Sequence, residues 1–122
     1  MENLINWFEI PVTDFSRAVS FYKAILGLEI KETEMFGTKM GFFPTDGKNI
    51  SGAIVHGDDY KPSTDGVIAY LNGGNDLQNV LDKVESNNGK VIVPKTQISP
   101  EMGYFGMFID TEGNKMAVHS IN

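Results

Sequence analysis

Phe8-Glu9-Ile10-Pro11-Val12-Thr13-Asp14 opens a pattern that the chain writes twice. An amphipathic stretch follows and stops at Gly27-Leu28. Ala69-Tyr70-Leu71-Asn72-Gly73-Gly74-Asn75 opens the second copy, and its amphipathic stretch stops at Gly89-Lys90-Val91. Each copy continues into strand-like runs and ends in a turn of similar make-up. The first turn is Thr45-Asp46-Gly47-Lys48-Asn49-Ile50 and the second is Thr111-Glu112-Gly113-Asn114-Lys115-Met116. A βαβββ unit repeated in 122 residues predicts an α+β fold of two modules with curved mixed sheets around a shared groove. The expected organisation is one domain over 1–122, with module one at 4–57, a linker at 58–65 and module two at 66–120.

Leu4–Val12 is strand-like, with Phe8, Ile10 and Val12 on one face and Trp7, Glu9 and Pro11 on the other. Asp14 is placed to cap the next helix, where Phe15, Ala18, Val19, Tyr22, Ile25 and Leu26 follow helical spacing. Phe21 falls off that stripe. Gly27 suits the left-handed residue that ends the helix. Strands are expected over Glu29–Met35, Lys39–Pro44 and Ile50–His56. In module two, Gly66–Asn72 is the opening strand, Asn75 the cap and Leu77, Val80, Leu81 and Val84 the stripe. Gly89 is the helix stop, followed by strands over Val91–Ile98, Tyr104–Asp110 and Lys115–Ser120. Ile98–Gly103 reads as a loop.

Composition narrows the function. With no cysteine, disulfides, thiolate nucleophiles and Cys-based zinc sites are all absent. Sixteen acidic residues against ten basic ones give a net charge of −6. That balance repels phosphate backbones and anionic lipid, so no nucleic-acid and no membrane partner is expected. The start Met-Glu-Asn-Leu-Ile-Asn has no basic segment and no long apolar run, and the reading is a cytoplasmic, soluble protein. No Ser-His-Asp set, phosphate loop or dinucleotide fingerprint occurs. Gly73-Gly74 before a helix is read as a turn.

Two stretches carry a family resemblance. Asn6-Trp7-Phe8-Glu9-Ile10-Pro11-Val12-Thr13-Asp14, with Arg17-Ala18, Phe21-Tyr22 and Leu26-Gly27-Leu28, resembles the start of the vicinal oxygen chelate superfamily. That superfamily includes glyoxalase I, bleomycin-resistance proteins and extradiol dioxygenases. Gly103–Met116, a strand running into Asp110-Thr111-Glu112-Gly113-Asn114, resembles its C-terminal signature. The resemblance implies paired βαβββ modules, commonly a homodimer, and a divalent metal acting as a Lewis acid on vicinal oxygens. It also implies ligands on the first and last strands of each module. Those positions fall at Trp7 and, in module two, at Ile68, or Val67 one register away. On the last strands they fall at Ala117 and at Ser51, with Gly52 and Ala53 as neighbouring registers. None is a nitrogen or carboxylate ligand, so no metal and no other cofactor is expected.

The groove lining then follows from alternation: Trp7, Glu9 and Pro11; Ile68, Tyr70 and Asn72; Lys115, Ala117 and His119. Glu9 is the candidate catalytic base, or the anchor for a cationic ligand. The competing reading is a structural carboxylate paired with Lys115 or the backbone. Trp7, Glu9, Ile68, Tyr70, Asn72, Ala117 and His119 are the candidate ligand-binding residues. His119 and His56 are the only histidines, and for both a strand-end role competes with a functional one. Trp7, Phe43, Tyr70, Tyr104 and Phe105 are candidates for an aromatic cage, against packing in a core or dimer interface.

The leading functional reading is a metal-independent small-molecule-binding protein of this superfamily, working as a homodimer. A second is a glyoxalase-like lyase or isomerase, or a dioxygenase, whose metal ligands have moved to Glu9 and His119. A third is a non-catalytic interaction protein with a vestigial pocket.

Overall fold

The computed structural model describes residues 3–122. Strand β1 (Trp7–Pro11), helix α1 (Phe15–Leu26), β2 (Lys31–Met35), β3 (Thr38–Phe42) and β4 (Ser51–His56) form module one. Strand β5 (Tyr70–Asn72), helix α2 (Gln78–Val84), a 3-10 turn at Glu85–Asn87, β6 (Lys90–Ser99), β7 (Gly103–Ile109) and β8 (Lys115–Ser120) form module two. The sheets have matching orders, β1-β4-β3-β2 and β5-β8-β7-β6. In each, the opening strand runs parallel to the closing strand, and the other pairs are antiparallel. Strands β1 and β5 are therefore sheet edges. Strand β6 is also an edge, which is where a sheet tolerates Pro94. Among the described residues no helix is long and apolar enough to cross a membrane.

Helix α1 forms where the apolar spacing requires. The Asp14 carboxylate accepts from Arg17 N at 3.1 Å, and Gly27, at φ 65°, closes the helix with its N–H on the Lys23 carbonyl. Phe21 is as buried as the stripe residues, because α1 packs against its own sheet and also against module two. Its ring meets Phe108 at 6.0 Å. Gly89 makes room for it: a methyl group there would lie 2.8 Å from the Phe21 ring.

Two expectations for α2 are corrected. Asn75 does not cap it; the helix begins at Gln78, and Leu77 at the N-cap position makes no side-chain cap bond. Leu77 N instead donates to Ser120 Oγ at 2.9 Å, and Gln78 N to Asp76 Oδ1 at 2.9 Å. The expected stop at Gly89 falls one residue earlier, at Asn88, which takes the left-handed conformation at φ 74°. Strand β6 extends into the expected loop as far as Ser99.

Both helices touch each other, and one core cluster runs through both modules, including Ile10, Phe21, Tyr22, Ile54, Leu77, Leu81, Phe108 and Val118. A polar latch joins the modules beside it. Glu112 accepts from Thr13 N at 3.0 Å, Asp14 N at 2.6 Å and Arg17 Nε at 2.7 Å. Asp110 accepts from the Tyr22 hydroxyl at 2.6 Å, and Asn114 donates to the Pro11 carbonyl at 2.7 Å. Burial, with the Asp110 charge beside it, pushes the Tyr22 hydroxyl pKa well above its ordinary value.

Candidate functional site

Each sheet turns one face to its helix. Its other face is where the candidate residues lie. In module one, Trp7, Glu9 and Pro11 share that face with Met40, Phe42, Ala53 and Val55, since Glu9 pairs with Ala53 and Ala53 with Phe42. The Trp7 and Phe42 rings are 5.9 Å apart. Tyr60, in the linker, packs against the small cluster of Met40, Ala53 and Val55. Its hydroxyl donates to Glu9 Oε1 at 3.1 Å, and Trp7 Nε1 lies 3.4 Å from Glu9 Oε2. That bond, and then the Glu9 charge, raise the Tyr60 pKa. Glu9 is thus a solvent-exposed carboxylate in an aromatic and aliphatic frame, with neither Lys115 nor any other cation paired to it among the described residues.

In module two, Tyr70 pairs with Ala117 and Asn72 with His119, while Met107 and Phe105 extend the same face. Ala117 is fully buried and Tyr70 about half exposed. His119 Nε2 lies 2.6 Å from the Met102 carbonyl oxygen. A carbonyl only accepts, so Nε2 is the donor in this contact. Tyr70, Asn72 and His119, with Ile98, Met102 and Ile121, line a cleft of about 610 Å³.

The candidates therefore gather in two groups, Trp7 with Glu9 and Tyr70 with Asn72, Ala117 and His119. Ile68 lies just before β5, in a separate and larger cleft between the modules that Tyr70 and Asn72 also border. The proposed aromatic cage does not assemble. Phe43 points to the helix side, stacked on Phe8 at 5.8 Å and edge-on to Tyr22 at 6.0 Å. Tyr104 lies beneath the Lys95 ammonium, on the side of β7 opposite Phe105. Phe42 and Tyr60 take the places beside Trp7 and Glu9. The alternation of Met40 and Phe42 against Gly41 and Phe43 carries a signal for the first; a lone aromatic in a polar linker is a weak signal for the second. His56 Nδ1 lies 3.1 Å from the Val12 carbonyl oxygen, an interaction with the chain's own backbone.

Pairing also corrects the register of the family's metal positions. Trp7 stands opposite Ser51, and the matching residue opposite Ala117 is Tyr70, not Ile68. An indole, a hydroxyl, a phenol and a methyl group do not fit a divalent cation that takes imidazole or carboxylate. Among the described residues, no group of three or more His, Cys, Asp or Glu side chains is placed to hold a metal ion. Glu9 and His119 stand on different sheets, each with its own partner.

With this geometry established, comparison with known proteins gives a consistent answer. Residues 4–118 match the model of the Glyoxalase/Bleomycin resistance protein/Dioxygenase superfamily. A glyoxylase-like domain-containing protein of Didymella fabae is 29% identical, with 93% of this chain and 91% of that protein covered. The glyoxylase/bleomycin resistance protein/dioxygenase domain from Frankia sp. EAN1pec superposes with a TM-score of 0.73 at 11% identity, covering 98% of both chains. TnmS3, an antibiotic-binding protein from Streptomyces sp. CB03234, gives 0.66 at 19% identity, covering 97% of this chain and 95% of its own. Duplicated βαβββ modules, matched sheet orders and a family match over nearly the whole chain converge: the chain belongs to the glyoxalase, bleomycin-resistance and dioxygenase superfamily.

Proposed function

We propose that this protein binds a small, flat organic molecule on the outer sheet faces without a metal ion. The molecule stacks on Trp7 and Phe42 and directs a cationic or hydrogen-bond-donating group at Glu9. One observation carries the reading: a carboxylate stands in the middle of an aromatic face, held by Tyr60 and Trp7 and paired with no cation among the described residues. A held carboxylate has its orientation fixed before the ligand arrives, which lowers the ordering cost of binding. The likeness to an antibiotic-binding protein supports a binding role. The separation of Glu9 from His119 favours binding over catalysis by a displaced metal.

A homodimer completes the site in this proposal. Strands β1 and β5 are free edges beside the two candidate faces, and edge pairing between copies would set Trp7 and Glu9 against Tyr70, Asn72 and His119 of a second copy. Sedimentation at micromolar concentration is expected to give about twice 13.5 kDa.

The test uses Trp7, the single tryptophan, as its own reporter. Planar aromatic cations are expected to quench its fluorescence saturably. Glu9→Gln should weaken that binding by about 1.5–3 kcal/mol, the worth of a charged hydrogen bond, and leave the denaturation midpoint unchanged. An unchanged affinity removes Glu9 from the site. Stoichiometric Zn²⁺, Ni²⁺ or Mn²⁺ after extensive dialysis overturns the metal-free reading.

A further inference from the structure

A cleft larger than the one beside His119 lies away from the outer faces. It opens between the modules on their helical side and has a volume of about 940 Å³. Its apolar walls include Phe8, Leu26, Leu28, Phe43 and Ile50 from module one and Val80 from α2. Neither Trp7 nor Glu9 lines it, and of the residues proposed above only Tyr70 and Asn72 border it.

Most of its polar side chains come from module two, and of the lining residues Ser51 and Asn72 are already hydrogen-bonded within the chain. Asn79 and Lys83 are four residues apart on α2, so they lie on one face of the helix at the cleft. Asn75 adds a third polar side chain. These three side chains make no hydrogen bond or ion pair with any described residue. Among the described residues no aspartate or glutamate lines the cleft, although the chain holds sixteen of them against ten lysines and arginines. Lys83 is the only charged residue there among the described residues. An apolar cavity with one unpaired ammonium and neighbouring amides has a definite complement: an apolar body ending in a single negative charge.

We infer that the inter-module cleft binds a monoanionic amphiphile, an alkyl or aryl carboxylate, with its apolar part against Phe8, Leu26, Phe43 and Val80 and its carboxylate on Lys83 and Asn79. The carboxylate accepts from the Lys83 ammonium, and the Asn79 amide donates to its second oxygen. The apolar part takes its affinity from removing hydrocarbon from water.

The experiment compares decanoate, decan-1-ol and decylammonium by calorimetry and by methyl NMR on the intact chain. Decanoate should bind one per chain and shift the methyls of Leu26, Leu28, Ile50 and Val80, and decylammonium should not bind. Lys83→Met should weaken decanoate at least about tenfold and change decan-1-ol by less than about twofold, as expected for loss of one charge-assisted contact. Ile50→Trp, at a partly exposed position on the wall, should block both ligands while keeping the wild-type melting midpoint. Leu28→Trp is a second blocking variant should the first not fold. Equal affinity for decanoate and decan-1-ol, an unaltered Lys83→Met variant, or shifts confined to Met40 and Met107 on the outer faces would overturn the assignment. So would protection of the same methyls by self-association without decanoate, which would give the cleft to a second copy of the chain.

Discussion

The two turns that end the modules are similar in make-up and do different work. Asp110–Asn114 reaches across to module one, where Glu112 takes four bonds from the start of α1 and Asp110 takes the Tyr22 hydroxyl. The corresponding turn of module one bonds only with itself. Asp46 accepts from Lys48 N at 2.8 Å and Asn49 N at 2.9 Å, and Ser51 Oγ donates to the Pro44 carbonyl at 2.9 Å. The residues explain the difference. Pro44 offers no side-chain acceptor where Asp110 has a carboxylate. Asp46 is one methylene shorter than Glu112. On α2, Val80 stands at the place of Arg17, counted from the first helical residue, so no guanidinium is available. One joint is latched, and its pseudo-symmetric counterpart is left open as the cleft that Val80 lines. A duplicated fold thus obtains a rigid side and a hollow side from a handful of substitutions.

The comparison breaks if the latched joint proves no more important than the open one. The largest effect is expected at Phe21, buried between α1 and module two. Phe21→Ala should cost about 3–5 kcal/mol in urea denaturation, as for other buried aromatics truncated in a core. Asp110→Ala should follow closely, at roughly 3–4 kcal/mol, because it leaves the Tyr22 hydroxyl and the Asn114 amide without their buried acceptor. A loss below about 1 kcal/mol for either would mean that the modules hold together by other means.

Glu112 sharpens the comparison through pH. Burial pushes its carboxyl pKa up, but the bonds from Arg17, Asp14 N, Thr111 and Thr13 N outweigh that and leave it below its ordinary 4.5. A carboxylate with a depressed native pKa stabilises fully above its unfolded pKa, and that contribution is lost as pH falls through the native value. Stability should therefore decline below about pH 4.5, and Glu112→Gln should flatten part of the decline. Asp46 and Asp76 are also depressed, so the slope will not vanish. Tyr22 acts at the other end. With its native pKa raised, its contribution is present below the unfolded value near 10 and lost as pH rises beyond it. Tyr22→Phe should reduce the alkaline loss in the same titration.

How much of this was readable beforehand depended on whether the cause was local. The stripe on α1, the Asp14 cap and the Gly27 stop all act within one turn of the helix, and the sequence pattern finds them. The start of α2 is set by Ser120, which is distant in sequence, and by Asp76, so Asn75 was a false cap. Counting back from that false cap moved the expected metal position of module two to Ile68, whereas strand pairing puts it at Tyr70. Strand alternation put Glu9 on the right face but could not show that Tyr60 would reach it. The contact joins a strand to a linker, and no period connects the two. The cleft was illegible for a further reason. It arises from contacts that one joint lacks, and the absence of a long-range bond leaves no mark in local sequence.

The smallest effect, expected at Asp46, is also the sharpest control. Its carboxylate accepts from Lys48 N, Asn49 N and the Asn49 amide, three bonds that close a turn in solvent. Water replaces such bonds when they are lost, and no donor from α2 is left stranded. Asp46→Ala should therefore shift the urea midpoint far less than Asp110→Ala does, although Asp46 sits at the position matching Glu112. It should also leave the inter-module surface unchanged, read as hydrogen exchange at the first turn of α2. Glu112→Ala, by contrast, should speed exchange at Thr13 and Asp14, whose N–H groups lose their acceptor. If the Asp46 variant instead speeds exchange in α2, the module-one turn does reach across in solution. The two joints would then be alike, and the cleft would be a minor opening of a second latch.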